Sequence, residues 1–122
     1  MQETAVPVGW RLFMGSLAGR GVLVAQSGIG RERVETAAQF LLDRYPVNCM
    51  VSFGFAGALV PELRVGDLVV YREMVAPDAP EVGKHYCSDP LMVEMAAAAG
   101  KGVGRDPLFG RGLTLERPVS LP

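Results

Sequence analysis

Val22-Leu-Val-Ala-Gln-Ser-Gly-Ile-Gly30, then Cys49-Met-Val-Ser-Phe-Gly-Phe-Ala-Gly-Ala-Leu59, then Leu63-Arg-Val-Gly-Asp-Leu-Val-Val70 decide the fold of this 122-residue chain. The first is a β-branched run that ends in a glycine turn, and such short apolar runs bounded by Gly read as strands. Behind that turn, Val34, Ala37, Ala38, Leu41 and Tyr45 recur at i, i+3, i+4, i+7 spacing. They put one apolar face on a helix from about Glu32 to Tyr45, and Pro46 stops it. Cys49 to Phe53 is short, apolar and runs into glycines, the pattern of a buried central strand. Strands alternating with helices predict an α/β domain.

Outward from this centre, Trp10 to Leu17 alternates as a strand and is hairpinned to Gly21–Gln26 across Ala18-Gly-Arg20. Asp67 to Arg72 supplies another strand. Residues 76–90 and 100–112 read as irregular loops, rich in Pro and Gly respectively. Asp89 is placed to cap a helix that starts at Pro90, runs to Ala99 and is ended by Gly100. A last strand runs over 111–117. The expected architecture is a single α/β domain over residues 1–122. It has three αβα layers, with strands near 10–17, 21–26, 48–53 and 67–72 in a central mixed sheet and helix 32–45 packed on one face.

Composition removes several function classes. Hydrophobic residues make up 49% and charged residues 20%, which supports a buried core and argues against disorder. Lys plus Arg number 12 against 13 Asp plus Glu, a net charge of -1. A nucleic-acid binder normally carries a basic excess. Two cysteines are too few for a secreted disulfide scaffold. No apolar run reaches the length of a membrane span, and no Lys or Arg precedes Arg11 to make a signal-peptide n-region. The expected location is cytoplasmic.

The three motifs Ser27-Gly-Ile-Gly30, Gly54-Phe-Ala-Gly-Ala-Leu59 and Val65-Gly-Asp-Leu-Val-Val70 agree in order and spacing with one family. Together they resemble the nucleoside phosphorylase and nucleosidase superfamily. This includes the purine nucleoside and uridine phosphorylases and the methylthioadenosine/adenosylhomocysteine nucleosidases. The resemblance covers roughly residues 9–117 and is carried by 10–74. It implies a phosphorylase-like fold and cleavage of the N-glycosidic bond of a small purine nucleoside. It further implies no cofactor, phosphate as a candidate co-substrate, and a homo-oligomer. It places Gly54, Phe55, Ala56 and Gly57 at the substrate, beyond a strand end where α/β sheets bind ligands.

Family members hold the ribose hydroxyls with a Met-Glu pair and protonate the base with the Asp of a later Ser-Asp pair. Val93-Glu-Met-Ala96 and Ser88-Asp89 match these only superficially, in the wrong order and too early in the chain. Ala96 stands where the ribose carboxylate should follow Met95, so no catalytic residue is identified. The resemblance therefore implies the middle portion, about half, of a family domain. Hexamer-type phosphorylases also carry Arg two residues before the first Gly of the central turn and Ser just after it. Here Ser52 and Phe55 stand there, and the bidentate guanidinium grip on phosphate is missing. Residues 52–59, with Arg117-Pro-Val119, are similar to the hopanoid-associated phosphorylase branch. That implies removal of adenine from adenosyl-hopane, a greasy substrate that suits an apolar Phe55.

Plainer readings stand beside these. Ser27-Gly-Ile-Gly30 before a helix could start a dinucleotide fingerprint, but Arg33 replaces the third glycine. Gly54 to Gly57 could be a turn with no ligand. His85, alone in a polar loop, reads as solvated, Cys49 as a small core hydrophobe, and Cys87 lacks metal-ligand spacing. No metal site is expected. The alternative to an enzyme is a non-catalytic remnant or interaction module that keeps the phosphorylase-like core.

Overall fold

Alternating side chains and a two-residue turn build the first element pair. In the computed structural model, which describes residues 1–7, 9–78 and 84–117, strands β2 (Arg11–Leu17) and β3 (Arg20–Gln26) form an antiparallel hairpin with Leu17 opposite Arg20. Ala18 and Gly19 turn at φ of 50° and 76°. Positive φ at both central residues matches the right-handed twist of the paired strands. A short β1 (Gln2–Thr4) adds antiparallel to β2, giving the order β1-β2-β3. Leu12 sits on the central strand between Thr4 and Ala25 and is completely buried.

Helix α1 (Arg31–Arg44) follows, burying Ala37 and Leu41, which lie four residues apart on one face. Trp10 meets Phe40 edge-on at 5.1 Å between ring centroids, a geometry favoured by the ring quadrupoles. The Arg44 guanidinium lies 3.8 Å from the centre of the same Phe40 ring. Tyr45 turns extended and its N–H donates to the Leu41 carbonyl, so α1 closes just before Pro46. These residues belong to one compact unit, 1–53.

The second unit, 54–122, is built on β4 (Val69–Ala76). It pairs antiparallel with β5 (Lys84–Cys87) and parallel with β6 (Leu108–Leu113), so this sheet is mixed, in the order β5-β4-β6. Helix α2 (Pro90–Gly102) packs on β4, with Val93 and Ala76 both buried. Gly100 fits tightly: a Cβ there would lie 2.7 Å from Leu68 Cδ2 and 3.2 Å from the Arg105 carbonyl. The carboxylate of Asp89 accepts the Met92 N–H at 3.0 Å, with Pro90 at the first helical position, as the sequence predicts. Asp89→Ala should destabilise the second unit by about 1 kcal/mol, while Asp89→Asn should cost only a few tenths. Urea titrations of the two variants followed by circular dichroism check this.

The α/β class and both helices match the sequence reading, as does the 11–26 hairpin. Several details differ. Among the described residues the strands are divided between two three-stranded sheets, β1-β2-β3 and β5-β4-β6, where one central mixed sheet is expected, because β3 bonds only to β2 while β4 takes β5 and β6 as its neighbours. The last strand covers 108–113 where 111–117 is expected. Residues 48–53 form no strand and lie exposed, because a strand needs a ladder partner. Among the described residues β4 is flanked on both sides by β5 and β6, and β3 pairs only with β2. Cys49 is accordingly exposed rather than in a core. The stretches 76–90 and 100–112 are not wholly irregular, since β5 and most of β6 form inside them, drawn into extended conformation by the two free edges of β4. Finally, α2 runs past Gly100 to Gly102. Gly104, at φ 77°, supplies the left-handed residue after the helix, and its N–H bonds back to Lys101.

In the first unit, Arg11 Nε and an η nitrogen donate to the two carboxylate oxygens of Glu3 at 2.9 and 3.0 Å. These hydrogen bonds hold the Glu3 carboxyl below its usual range. A lowered folded-state pKa gives stabilisation that is present above the unfolded pKa and lost as pH falls through the folded value. The pair is exposed, so the effect on stability is small. A carbon-detected NMR titration should place Glu3 below the ordinary glutamate range, and Arg11→Gln should return it there.

Candidate functional site

Gly54, Phe55, Ala56 and Gly57 open the second unit, and all four are exposed, with the Phe55 ring wholly in solvent. Neither glycine takes a positive φ, and a Cβ built on either would meet nothing within 4 Å. Neither backbone conformation nor packing among the described residues therefore requires glycine here. Small residues flanking one aromatic ring leave an open backbone surface, onto which a flat ring or a sugar can be laid closely.

Arg64 to Asp67 follows as a closed turn. Its Gly66 sits at φ 94°, and the Arg64 N–H donates to the Asp67 carboxylate at 2.7 Å. That turn delivers the chain into β4, the structural role its sequence suggests.

Several carboxylates are committed to structural tasks. Asp89 caps α2 and Asp67 closes its turn. Asp78 accepts the Glu116 N–H at 2.7 Å, and Asp43 accepts from the Gln39 amide at 2.7 Å. Glu73 on β4 is paired with Arg111 of β6, with His85 Nδ1 of β5 at 3.7 Å. His85 is thus an exposed strand residue beside a carboxylate, not a loop residue. Met95 and Ala96 lie on α2. Among the described residues no group of three His, Cys, Asp or Glu side chains is placed to hold a metal ion.

The first unit carries a shallow cleft of about 350 Å³, lined by Gly9, Trp10, Ser27, Glu32, Arg33 and Thr36. It brings the Ser27 turn together with the start of α1 and the residues entering β2. Gly28 and Gly30 turn at φ 86° and 108°, so glycine is needed at both. Arg33 lies over the turn: a Cβ on Gly28 would sit 3.0 Å from Arg33 Nη1. The backbone approach that a pyrophosphate needs is filled by that side chain, which counts against the dinucleotide reading. Trp10, Glu32 and Thr36 were not legible as neighbours, because no local motif links residues 9–10 with 32–36. Exposure of Ile29 at 96% is likewise invisible in the sequence, where an apolar residue inside a glycine turn reads as packed.

Comparison with known proteins assigns the chain. Residues 2–109 match the Phosphorylase superfamily. A 5'-methylthioadenosine/S-adenosylhomocysteine nucleosidase of Tolumonas auensis is 35% identical over 106 residues, 77% of this chain and 46% of that protein. The nucleosidase of Geobacillus thermodenitrificans is 32% identical over 80% of this chain and 47% of its own length. The chain thus spans about half the length of the curated relatives it matches. Among solved structures, the Neisseria meningitidis nucleosidase in complex with methylthio-immucillin-A superposes with a TM-score of 0.83 at 26% identity, over 94% of this chain and 56% of that one. A futalosine hydrolase mutant of Helicobacter pylori shares the fold, with a TM-score of 0.86 at 19% identity over 98% and 60%. No helix among the described residues is long and apolar enough to cross a membrane. With the glycine turns, the mixed sheet and this agreement over nearly the whole sequence, the chain belongs to the phosphorylase superfamily.

Proposed function

We propose that the domain to which residues 1–122 belong cleaves the N-glycosidic bond of a purine nucleoside, with water as the acceptor. The carrying observation is the family match, which runs over residues 2–109 and across both units. It supports reading 1–122 as the central portion of one phosphorylase-like domain. In the reaction the bond from the base nitrogen to C1′ breaks, and the base leaves with a proton. The water oxygen bonds to C1′ and gives up a proton of its own. The part of this chain is to receive substrate on the exposed segment Gly54, Phe55, Ala56 and Gly57. Water is favoured over phosphate because Ser52 and Phe55 supply no guanidinium for a phosphate oxygen pair. The matched relatives are also nucleosidases. The exposed Phe55 ring suits an adenosine with a large apolar 5′ substituent, of which adenosyl-hopane is the extreme case.

We place the protein in the cytoplasm as a homo-oligomer. Val34 and Leu42 of α1, 45% and 54% exposed, give it an apolar surface to bury, and a net charge of -1 does little to hold copies apart. A second reading, a non-catalytic interaction module, is favoured by Ala96 after Met95 and by the use of Asp89 as a helix cap. A chimera separates the two. Residues 10–74 of this chain replace the corresponding stretch of the Tolumonas auensis nucleosidase, and adenine release from 5'-methylthioadenosine is measured with and without phosphate. The enzyme reading expects release that does not depend on phosphate. A folded chimera that binds substrate but releases no adenine would support the module instead, and phosphate-dependent release would replace hydrolysis with phosphorolysis.

A further inference from the structure

Helix α2 is apolar on the side turned away from its sheet. It carries two charged residues, Glu94 and Lys101, where α1 carries six. A helix covered on one side ordinarily shows charged residues on the other. Val93 and Gly100, seven residues apart, are its buried positions and mark the side that packs on β4. The opposite side shows Leu91, Met95, Ala98 and Gly102, all exposed, with Leu91 at 64% and Met95 at 56%. Their spacing of four, three and four residues is that of a helix–helix seam. With Met95 and Gly102 as a positions and Leu91 and Ala98 as d positions, Val93 and Gly100 fall at f, pointing away from the seam.

The charges give this face an orientation. Glu94 and Lys101 fall at g, on one flank of the seam, while the e flank holds the uncharged Met92 and Ala99. The two charges lie about 10 Å apart along the axis, too far to pair within one helix. Among the described residues neither has another ion-pair partner. In a parallel helix pair a g flank faces an e flank, and the charges would meet only Met92 and Ala99. In an antiparallel pair g faces g, which sets Glu94 of each copy beside Lys101 of the other. The same register sets Leu91 against Gly102 and Met95 against Ala98, so each large side chain meets a small one. We propose that the outer face of α2 is a docking surface for a second copy of this chain, joined antiparallel about a twofold axis. A self-complementary patch is what a twofold contact requires. The seam is short beside a standard interface of about 1,200–2,000 Å², so the pair dissociates on dilution. The inference rests on α2 alone, and neither on the proposed activity nor on the Val34 and Leu42 surface of α1.

Sedimentation velocity of residues 1–122 over a concentration series tests it, with circular dichroism showing that each variant keeps its helices. The chain should move from monomer to dimer as concentration rises. Glu94→Lys and Lys101→Glu each bring like charges together twice across the twofold, and each should weaken the dimer about tenfold. The double variant recreates both pairs with the signs exchanged, and should return to within about twofold of the unchanged chain. Ala98→Glu, which buries a carboxylate in the seam, should leave a monomer. All three positions are exposed, so the fold should tolerate the changes. A chain that stays monomeric throughout, a dimer that neither charge reversal weakens, or a double variant no tighter than the single ones overturns the proposal. Association through α1 would not respond to the charge exchange, so the two surfaces are told apart. Binding to phosphatidylcholine vesicles that Ala98→Glu abolishes, with no dimer in solution, would also overturn it and give this face to a lipid surface.

Discussion

Residues 1–122 alone should release adenine from 5'-methylthioadenosine at least about a hundredfold more slowly than the Tolumonas auensis nucleosidase at equal concentration, since losing one strong transition-state interaction costs that much. Departure of a purine needs a proton delivered to the base, and charge growing on the ribose needs a carboxylate held against it. The resemblance implies that these come from a Met-Glu and a Ser-Asp pair. Here Met95 is followed by Ala96, and Asp89 is bound to the Met92 N–H at the start of α2. Glu3 is tied to Arg11, Glu73 to Arg111, and Asp67 to its own turn. A nucleoside laid on Gly54–Gly57 would find an open backbone surface and an aromatic ring, but neither of those two groups. A coupled assay for free adenine decides it. Turnover within tenfold of the relative would mean that side chains given structural roles here do the chemistry, and the assignment of Asp89 as a cap would be the first to re-examine.

What the sequence reveals depends on where each element finds its partners. The 11–26 hairpin is legible because its ladder is local: two alternating runs meet across a turn containing Gly19, and each satisfies the other. Helix α1 is legible because its hydrogen bonds are internal and its apolar face repeats. Asp89 and Pro90 announce α2 by chemistry confined to four residues. By contrast, Lys84-His-Tyr-Cys87 has no apolar alternation and becomes a strand only because an edge of β4 lies beside it. Leu108–Leu113 is a strand for the same reason, despite two glycines. The reverse error occurs at 49–53, where composition favours a strand and no ladder is offered. Residues 54–57, expected to turn, form no turn, and the cleft over Gly28 was not legible, since it depends on how Arg33 and Trp10 are brought to Ser27–Gly30.

Leu12→Ala should destabilise the first unit by about 2–5 kcal/mol, whereas Leu17→Ala on the same strand should cost no more than about 0.5 kcal/mol. Both remove the same three carbons from β2, and burial alone separates them. Leu12 has no exposed surface, while Leu17 is 67% exposed at the mouth of the hairpin turn. Leu12 also lies on the central strand, opposite Thr4 on one side and Ala25 on the other. Its loss would therefore open a void under strands held by hydrogen bonds on both flanks, which limits collapse into the space. Among the described residues the buried set of this unit is small, comprising Leu12, Ala37 and Leu41. Few other contacts can make up the deficit against a total stability of about 5–15 kcal/mol for an ordinary domain. Trp10 is the only tryptophan of the chain and packs edge-on against Phe40 at 5.1 Å, so its fluorescence in a urea titration reports on this unit. For a domain of this size each kcal/mol moves the thermal midpoint by about 4–8 °C, which puts the Leu12→Ala shift at roughly 10 °C or more. Equal midpoints for the two variants would mean that Leu12 is not the centre of the first unit and that the β1-β2-β3 sheet is held by its hydrogen bonds and the Trp10–Phe40 contact alone.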